Sequence, residues 1–422
     1  MSAAPGAALD VLIVGGGLVG GAAGALLQRG AAAAGRPLTI GILERTRPER
    51  PAVDAPLDAR VTTLSRASER ILGCAAAWEK IAGPRIALCE RMRIWHHSIA
   101  AASRDVLTFD AADAGEPNLG VVAENRLVQA AAIESFEAAG GRLVLGTLER
   151  LEAHDAYVEA RTSAGSLRAR LVVGADGARS TVRETLGVTI DAASYHQTAI
   201  VANVATERPH EHTAYQRFLG VGTLAFLPLA GGASSIVWSA DAAVAAALLD
   251  AAPSQFEQQL ARQIDAVLGA VRLLTERFSF PLRRLAAHRY TAHRCALVGD
   301  AAHAVHPLAG QGANLGLLDA ASLAEVVIAA IVEGEDPGAE RVLRRYERWR
   351  KSETQPMATA IDAFDRWLAH GAGPVARTAQ RGLAWVNRSQ EAKRLFIARA
   401  LGLTGELPQA ARLGGDSRRL AR

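Results

Sequence analysis

Three glycine-rich segments of the sequence, each directly after a short apolar run, carry residue types that hold a nucleotide. They are Gly15–Gly24, Gly174–Gly177 and Gly299–Gly316. Glycine lets backbone N–H groups come close to a ligand, and a helix that starts in such a turn favours negative charge. An acidic residue beside the turn can accept hydrogen bonds from sugar hydroxyls. The chemistry indicated is the binding of a phosphate-containing cofactor.

The first segment has the spacing of a dinucleotide fingerprint. Gly15, Gly17 and Gly20 form the pattern G-x-G-x-x-G after an apolar strand pattern. Gly15 would make the tight turn, Gly17 would leave room for a pyrophosphate, and Gly20 would let a helix pack closely. A second strand pattern ends at Glu44, whose carboxylate can bind the ribose hydroxyls of an adenosine. A structural turn with a coincidental acid has the same pattern, so the motif alone is weak evidence.

The other two segments repeat the order of strand, acid and helix start. Asp176 and Gly177 follow one buried strand pattern, and Asp300 follows another. Beyond Asp300 the turn contains Gly310 and Gly312 and leads into a long apolar helix pattern. A single Gly-Asp pair is equally common in an ordinary tight turn. Three such strand ends together predict convergence on one extended ligand.

Two arginines lie where they could reach that ligand. Arg60 follows a loop rich in proline and arginine, and Arg126 is one helical turn from Gln129 on a predicted helix. A lone arginine is more often a surface residue, so both interpretations stay open.

The elements that must position these segments belong to two kinds of sheet. Around the glycine-rich segments the apolar runs suit buried strands of an α/β domain. Between about residues 195 and 240 the pattern changes to alternation, at 199–204, 214–218, 224–229 and 235–239. This predicts an antiparallel sheet inserted into the first domain. A helix over 250–274 is predicted to cover it, and Phe278–Leu282 to return the chain to the first domain.

Composition sets the class of protein. The chain has 422 residues, half of them hydrophobic, which is enough for two or three domains around substantial cores. The longest apolar helix pattern carries Asp319 and Glu325, so no membrane span is predicted. Three scattered cysteines indicate neither a disulfide framework nor a zinc site. We expect a reducing, cytoplasmic location.

The charge is unevenly distributed. The net charge is +4, but residues 341–422 hold 17 Lys and Arg against 7 Asp and Glu, or +10, which leaves −6 for the rest. Such a basic segment suits nucleic acid, an anionic membrane surface or a solvated helical face. No nucleic-acid module is present in the sequence, so a nucleic-acid partner is not expected. Peripheral membrane contact stays a hypothesis beside ordinary packing of the helices.

Taken together, the motifs resemble the class A flavoprotein aromatic hydroxylases of the p-hydroxybenzoate hydroxylase fold. Within that class the chain resembles the UbiH/UbiF-type hydroxylases of ubiquinone biosynthesis. The likeness runs from end to end and includes Asp58–Val61, Glu124–Arg126 and, most diagnostically, Gly299–Gly316. One departure is Arg179, where these proteins more often carry asparagine.

The resemblance implies an α/β architecture with a Rossmann-like FAD-binding domain, an inserted antiparallel β-sheet substrate domain and a helical C-terminal tail. The FAD-binding domain would comprise 1–90, 119–190 and 276–340, the substrate domain 91–118 and 191–275, and the basic helical region 341–422.

The resemblance also implies roles for individual residues. Asp300 corresponds to the residue at the ribityl hydroxyls of FAD, and Pro307 to the residue beside the flavin ring where oxygen reacts. His306 is either a polar wall residue near the substrate or a packed histidine, and it stands with Pro307 as a catalytic candidate. His303 and His306 without a carboxylate cluster do not make a convincing metal site, so no metal is expected. The implied cofactor-binding residues are Gly15, Gly17, Gly20, Glu44, Arg60, Arg126, Asp176, Gly177, Asp300, Pro307, Gly310, Gly312 and Asn314.

The implied reaction is monooxygenation of the aromatic ring of a polyprenylated phenol or benzoquinol, with NAD(P)H as co-substrate and O₂ as oxidant. A flavin halogenase would resemble its family through a W-x-W-x-I-P motif, and a disulfide reductase would need a close pair of cysteines; neither is present. An aromatic hydroxylase with a non-quinone substrate, or a silent flavoprotein scaffold in a biosynthetic complex, remains an alternative. The expected partners are the prenylated aromatic molecule, O₂, and a membrane surface or such a complex.

Overall fold

The computed structural model describes residues 8–306, 310–369 and 374–412. The strands, in chain order, are β1 (Ala8–Val14), β2 (Ile40–Glu44), β3 (Val61–Leu64), β4 (Ala87–Cys89), β5 (Arg91–His96), β6 (Leu107–Asp110), β7 (Gly120–Glu124), β8 (Arg142–Leu145), β9 (Leu148–Ala153), β10 (Val158–Thr162), β11 (Gly165–Gly174), β12 (Ile190–Thr206), β13 (Thr213–Phe218), β14 (Gly222–Pro228), β15 (Ser234–Asp241), β16 (Val271–Leu273), β17 (Phe278–Ala287), β18 (Thr291–Ala292), β19 (Cys295–Leu297) and β20 (His303–Ala304). The helices are α1 (Leu18–Ala33), α2 (Arg66–Cys74), α3 (Trp78–Ile81), α4 (Asn125–Ala138), α5 (Thr181–Thr185), α6 (Ala242–Asp250), α7 (Pro253–Gln263), α8 (Gln311–Val332), α9 (Glu340–Phe364), α10 (Pro374–Arg388) and α11 (Gln390–Ala400).

The first sheet is the Rossmann-like layer that the sequence predicts. Its main path runs β18-β19-β11-β1-β2-β8, with β9 and β10 attached through β11. β1 lies parallel to both β2 and β11, and β11 lies parallel to β19. Its central strands are apolar throughout because helices cover both faces of a parallel sheet, and Val11, Leu12 and Ile13 are fully buried.

Glycine lets the first helix approach this sheet. A methyl group at Gly24 would lie 2.8 Å from Ile42 of β2 and 2.9 Å from Phe136 of α4. The small residues of α1 therefore permit close packing of helix on sheet, as the sequence predicts.

The second sheet is mostly antiparallel and follows the order β20-β17-β12-β15-β14-β13-β5-β6, with β16 beside β12. Alternate residues of its strands face opposite ways, as the period of two requires. Leu224, Phe226, Ile236 and Trp238 pack with Phe256 and Leu260 of α7 in a separate core. The residues between them face the first domain.

The helix predicted over 250–274 is wrong in part. The chain instead forms α6, α7 and the short strand β16. Pro253 starts α7, because proline has no N–H to continue a preceding helix but is well suited to a first turn. Gly269, at φ +72°, turns the chain towards β16.

The domain boundary predicted at residue 276 also needs correction. β17 is hydrogen-bonded along β12, so the antiparallel sheet extends to Ala287. Pro281 suggested the end of the sheet, but it pairs with Thr198 beside a register shift in β12. An irregular position of this kind tolerates a residue that cannot donate a ladder hydrogen bond.

The C-terminal helices are part of the folded body. α8 is long and apolar enough to cross a membrane by length and composition, but 78% of its most apolar window is buried inside the protein. It serves as a core helix and packs against α1 and α9. Further along, Ile361, Leu368, Leu383 and Val386 form a small cluster with Phe218 of the second sheet.

Candidate functional site

The three glycine-rich segments follow neighbouring strands and meet at one edge of the parallel sheet, while their convergence on one extended ligand stays a prediction. The N–H of Gly15 donates to the carbonyl of Leu43, at 2.9 Å, and that of Ala175 donates to Val14, at 2.8 Å. The N–H of Val298 donates to the carbonyl of Gly174 at 3.0 Å. The carboxyl ends of β2, β1, β11 and β19 therefore lie side by side, as in sites that bind nucleotides.

The first loop has the shape of a phosphate cradle. Gly15 has φ +101°, and a Cβ there would lie 2.5 Å from the carbonyl oxygen of Ala175. A Cβ at Gly20 would lie 1.9 Å from the carbonyl oxygen of Gly15. At Gly17 a Cβ would meet no described atom within 4 Å. The loop is thus closed on its protein side and open in front of α1, where the helix N-terminus favours an anion.

Glu44 holds the same loop from β2. Its carboxylate accepts a hydrogen bond of 2.5 Å from the N–H of Gly16 and one of 2.8 Å from the N–H of Arg45. Gln129 of α4 donates to the carbonyl oxygen of Gly16 at 3.0 Å. Glu44 and Gln129 therefore fix Gly16 between them, and the predicted contact of Glu44 with a ribose stays a prediction.

Asp176 lies at the second loop with one oxygen in use. Its Oδ2 accepts a hydrogen bond of 3.1 Å from the N–H of Val182, while Oδ1 is buried and has no partner among the described residues. Gly177, at φ +79°, turns the chain away from the sheet. A buried carboxylate oxygen without a partner is costly, so it indicates a missing donor from a ligand or water.

Arg183 joins the second and third loops, and sequence reasoning missed this. Its guanidinium is buried and donates to the carbonyl oxygens of Ala301, at 3.0 Å, and Ala178, at 2.8 Å. The available signal was an arginine in the short helix that follows the Gly-Ala-Asp-Gly turn.

Asp300 lies in the turn after β19, at the base of the cleft between the two sheets. Its side chain is accessible from the cleft but otherwise surrounded by protein. Burial raises the pKa of the carboxyl above its ordinary value; His303 opposes this shift and Asp319 adds to it.

Asp319 of α8 is the buried anchor of the third loop. Its carboxylate accepts hydrogen bonds from the N–H of Gly299 at 2.9 Å and the Nε of Arg350 at 2.7 Å, and it contacts the Nε2 of His303 at 2.5 Å. Burial alone would raise the pKa of Asp319, but His303 and Arg350 hold it below its ordinary value. His303, considered in the sequence as a metal ligand, thus takes part in a buried polar network that ties α9 to the loop of Asp300.

No metal site is evident around that histidine. Within residues 8–306, 310–369 and 374–412, no group of three or more His, Cys, Asp and Glu side chains is arranged to hold an ion.

The start of α8 carries Gly310, Gly312 and Asn314. Gly310 has φ +65°, and a Cβ at Gly312 would meet no described atom within 4 Å. The amide oxygen of Asn314 accepts from the N–H of Ser65 and the hydroxyl of Ser68, and its nitrogen donates to the carbonyl oxygens of Thr63 and Gly310. Asn314 therefore braces β3 against the first turn of α8, and a direct contact with the cofactor stays a prediction.

Both predicted arginines are exposed, and Arg60 lines the cleft whereas Arg126 lines a neighbouring cavity. No described residue forms a hydrogen bond or ion pair with the guanidinium of Arg60 or of Arg126. The end of β7 and the loop before β3 are held together by Arg85, which sequence reasoning did not identify. Arg85 binds Glu124 through two hydrogen bonds of 2.7 Å and donates to the carbonyl oxygens of 52, 53, 55 and 56.

Of the two catalytic candidates, the structure describes His306, which lies within the third glycine-rich segment. His306 is buried, its Nε2 lies 3.0 Å from the Oε1 of Gln197, and its ring meets that of Tyr195 edge to face. It is absent from the described lining of the cleft. Pro307 lies outside the described residues. Their catalytic assignment stays a prediction.

A cavity of about 420 Å³ separates the two sheets. One wall contains Asp300, Gly310, Arg60 and Asn125, together with β3. The other wall is the open face of the second sheet: Val201, Gln216, Thr223, Ala225, Leu227, Ser235, Val237, Ser239 and Phe280. This volume and its mixed apolar and hydroxyl lining suit a small aromatic ligand.

The residues present fit the FAD that the resemblance implies. An open cradle faces the N-terminus of α1, an unpaired buried oxygen remains on Asp176, and Asp300 reaches the cleft at the far end. Thr63, also in the cavity wall, has a buried hydroxyl without a described partner. Donors and acceptors thus remain unused along the line between the first and third loops.

Comparison with known proteins agrees with this geometry. A family model described as an FAD binding domain matches residues 121–360, more than half of the chain. The ubiquinone hydroxylase UbiL of Rhodospirillum rubrum is 38% identical over 412 residues, covering 96% of this chain and 92% of that protein. The 3-demethoxyubiquinol 3-hydroxylase of Escherichia coli is 34% identical over 398 residues, covering 93% and 98% of the two chains.

Among solved structures, the p-nitrophenol 4-monooxygenase PnpA of Pseudomonas putida superposes with a TM-score of 0.74 at 22% identity. The match covers 96% of this chain and all of that one, and it shows the shared fold.

Proposed function

The chain belongs to the FAD-dependent hydroxylases of ubiquinone biosynthesis, and we propose that it hydroxylates the aromatic ring of a polyprenylated phenol or benzoquinol. NAD(P)H is the proposed electron donor and O₂ the source of the inserted oxygen. Two relatives that match more than nine-tenths of the chain are hydroxylases with ubiquinone or demethoxyubiquinol in their names.

The cavity between the sheets carries this proposal. Asp300 and Gly310, the residues proposed to contact the flavin end of FAD, lie on one wall, and the described lining of the facing wall carries no charged side chain. An aromatic ring held between these walls would lie against the cofactor and away from bulk water. A charged substrate would find a single cationic group in the described lining, that of Arg60.

The proposed roles of the residues of the chain are to bind the cofactor, to orient the substrate and to exclude water. Bound FAD would supply the redox chemistry that activates oxygen for insertion into the ring. Backbone N–H groups of the cradle at Gly15–Gly20 and of the start of α8 would hold the cofactor, and the carboxylate of Asp300 would bind its ribityl hydroxyls. The apolar side chains of Val201 and Val237 keep the ring side of the cavity dry, which strengthens polar interactions there.

The test uses purified protein loaded with FAD. We expect 2-farnesylphenol to stimulate the oxidation of NADH or NADPH, and ¹⁸O₂ to label the hydroxylated product. Asp300→Ala should lower the affinity for FAD and the rate together, because it removes the proposed ribityl contact. FAD-loaded protein that shows no stimulation and forms no labelled product would instead support the scaffold alternative.

We further propose that the protein works at the cytoplasmic face of a membrane, where a polyprenylated substrate is dissolved. Support comes from the C-terminal region, whose net charge of +10 accompanies exposed apolar side chains. Trp367 is 54% exposed, and Trp385 and Leu395 are each 65% exposed. Each basic residue near an anionic surface contributes about 1 kcal/mol, and tryptophan suits the interface.

Vesicle sedimentation tests the membrane proposal. Deleting residues 341–422 would remove buried Arg350 and Tyr346, so point variants are the better tool. The triple variant Trp367→Ser, Trp385→Ser and Leu395→Ser should bind vesicles containing phosphatidylglycerol less than the unchanged chain does. Val244→Ser, at another exposed apolar site, is the control. Equal sedimentation of all three proteins would reject the proposal.

A further inference from the structure

The open face of the second sheet is ordered in rows that cross its strands. Residues paired directly across neighbouring antiparallel strands point to the same side. The first row is Gln216, Ala225, Val237, Val201 and Phe278, on β13, β14, β15, β12 and β17. The second row is Thr223, Ser239, Ala199 and Phe280, on β14, β15, β12 and β17.

Polarity changes along both rows. The inner ends carry an amide and two hydroxyls, from Gln216, Thr223 and Ser239. Ser239 Oγ is buried and has no hydrogen-bond partner among the described residues. Towards β17 the side chains become purely apolar. Because neighbouring strands are about 4.8 Å apart, the gradient spans roughly 14 Å from β14 to β17.

The apolar end lies at an edge of the sheet. β17 pairs with β12 on one side, and β20 pairs with it on the other side only at Leu285 and Ala286. Phe278 and Phe280 lie outside that pairing and are 48% and 36% exposed. Two partly exposed phenylalanines that continue a cavity wall indicate an apolar ligand passing out of the cavity.

A second cavity, of about 560 Å³, begins where the first ends. The two share Ala59, and Phe278, Leu57 and Pro56 line the second. Its lining also contains six charged residues. Arg50 and Glu124 are paired with Glu134 and Arg85, and the other four are Glu49, Asp58, Arg126 and Glu276. The path beyond Phe280 is therefore roomy and has an apolar side formed by Phe278, Leu57 and Pro56.

We propose that the substrate enters ring first and that its isoprenoid chain leaves over the edge strand, across Phe280 and Phe278. This inference rests on the proposed function and adds the orientation of the substrate. The hydroxyl and amide groups at the inner end hold the oxygen substituents of the ring. A first cavity of about 420 Å³ has no room for a ring together with a long isoprenoid chain, so the chain must leave it.

A series of phenols with tails of increasing length tests this orientation. Binding of phenol, 2-prenylphenol and 2-farnesylphenol to the FAD-loaded protein is measured by calorimetry, and KM is measured for each compound that turns over. We expect affinity to rise with tail length, because each added isoprene unit buries more apolar surface. Phe278→Asp, at a residue outside the lining of the first cavity, should weaken binding of 2-farnesylphenol about tenfold and leave phenol within about twofold.

Val244→Asp on α6 is the matched control, because it places the same charge at an exposed apolar site on the other side of the sheet. It should leave the whole series unchanged. Equal affinity of the unchanged protein for phenol and 2-farnesylphenol would overturn the proposal, as would equal weakening of both ligands by Phe278→Asp. Tail-dependent binding without hydroxylation would support the orientation while contradicting the proposed reaction, so the two failures are distinguishable.

Discussion

The two faces of β14 and β15 come from alternate residues of the same strands, yet they are built differently. One face presents Leu224, Phe226, Ile236 and Trp238 to α6 and α7. The other presents Thr223, Ala225, Ser235, Val237 and Ser239 to the cavity. The first face is filled by large side chains of the protein itself, whereas the second has small or hydroxyl-bearing side chains and leaves volume beside them.

Along the same strands, the packed face therefore contributes mainly to stability and the cavity face to ligand binding. Burial of large apolar side chains supplies much of the stability of a domain. A wall of small residues contributes less and carries buried hydroxyls that lack described partners, on Ser235 and Ser239. Substitutions on the first face should therefore change the free energy of unfolding, and those on the second should change ligand affinity.

The largest effect is expected for Trp238→Ala on the packed face. Trp238 is 3% exposed, and its ring centre lies 5.9 Å from that of Phe256. Removing it leaves a cavity, so the free energy of unfolding should fall by about 3–5 kcal/mol. Urea unfolding measures the loss. A change below about 1 kcal/mol would show that this core is not the main support of the sheet.

A lower pH should destabilise the protein through His96, which lies in a third environment on the same sheet. His96 of β5 pairs with Phe218 of β13, and Phe218 pairs with Thr223, so His96 continues the row of Thr223 and Ser239. The C-terminal helices cover the sheet at this point. Burial lowers the pKa of His96 to about 4, with smaller contributions from His97 and Arg217. The unfolded state then binds more protons between about pH 6.5 and pH 4, so stability is lost as the pH falls through that range.

Urea unfolding at pH 7 and pH 4.5 tests the effect of His96. The unchanged chain should lose about 2 kcal/mol more stability than His96→Gln between these two values. Equal losses in the two proteins would contradict protonation of His96 as the cause.

A matched pair of alanine substitutions sharpens the contrast between the faces. Ala225 faces the cavity, and Ala240 is buried in the packed core. Ala225→Leu should raise KM for the aromatic substrate about tenfold while stability changes by less than about 0.5 kcal/mol. Ala240→Leu should cost about 1–3 kcal/mol of stability through overpacking and leave KM unchanged. The reverse pattern would contradict binding of the ligand at the face that contains Ala225.

The smallest effect is expected at the serine hydroxyls. Ser234 and Ser239 are both buried without described partners, Ser239 on the cavity wall and Ser234 outside its lining. Replacing either by alanine should leave stability unchanged or slightly higher, since an unsatisfied hydroxyl is removed. Ser239→Ala alone should weaken binding of the phenol, by about threefold to tenfold. Equal binding by both variants would exclude Ser239 from ring recognition.

Much of the cofactor side of the site was predictable from sequence, because its geometry depends on local backbone chemistry. Gly15, Gly20 and Gly310 occupy positions where a turn or a close contact requires glycine. The order of strand, glycine and acid then placed Asp176 and Asp300 at neighbouring strand ends.

The features that could not be predicted from the sequence depend on contacts between distant segments. Arg183 and Arg85 act by donating to carbonyl oxygens of loops far along the chain, and no local pattern marks an arginine for that role. The predicted contact of Asn314 with the cofactor stays a prediction, but the sequence did not reveal that its amide joins β3 to α8. The irregular pairing at Pro281 could be known only from the partner strand, so the extent of the second sheet was underestimated.

The network around Asp319 has a consequence for synthesis of the chain. The N–H of Gly299 is held by a buried carboxylate whose counter-charge is Arg350, a residue of α9. A nascent chain that has not yet extended past α9 would contain the glycine loops but would leave Asp319 buried without that arginine. Since domains fold progressively from the N-terminus during translation, the loop of Asp300 should be among the last parts to settle. The cofactor would then be captured late, by an almost finished polypeptide.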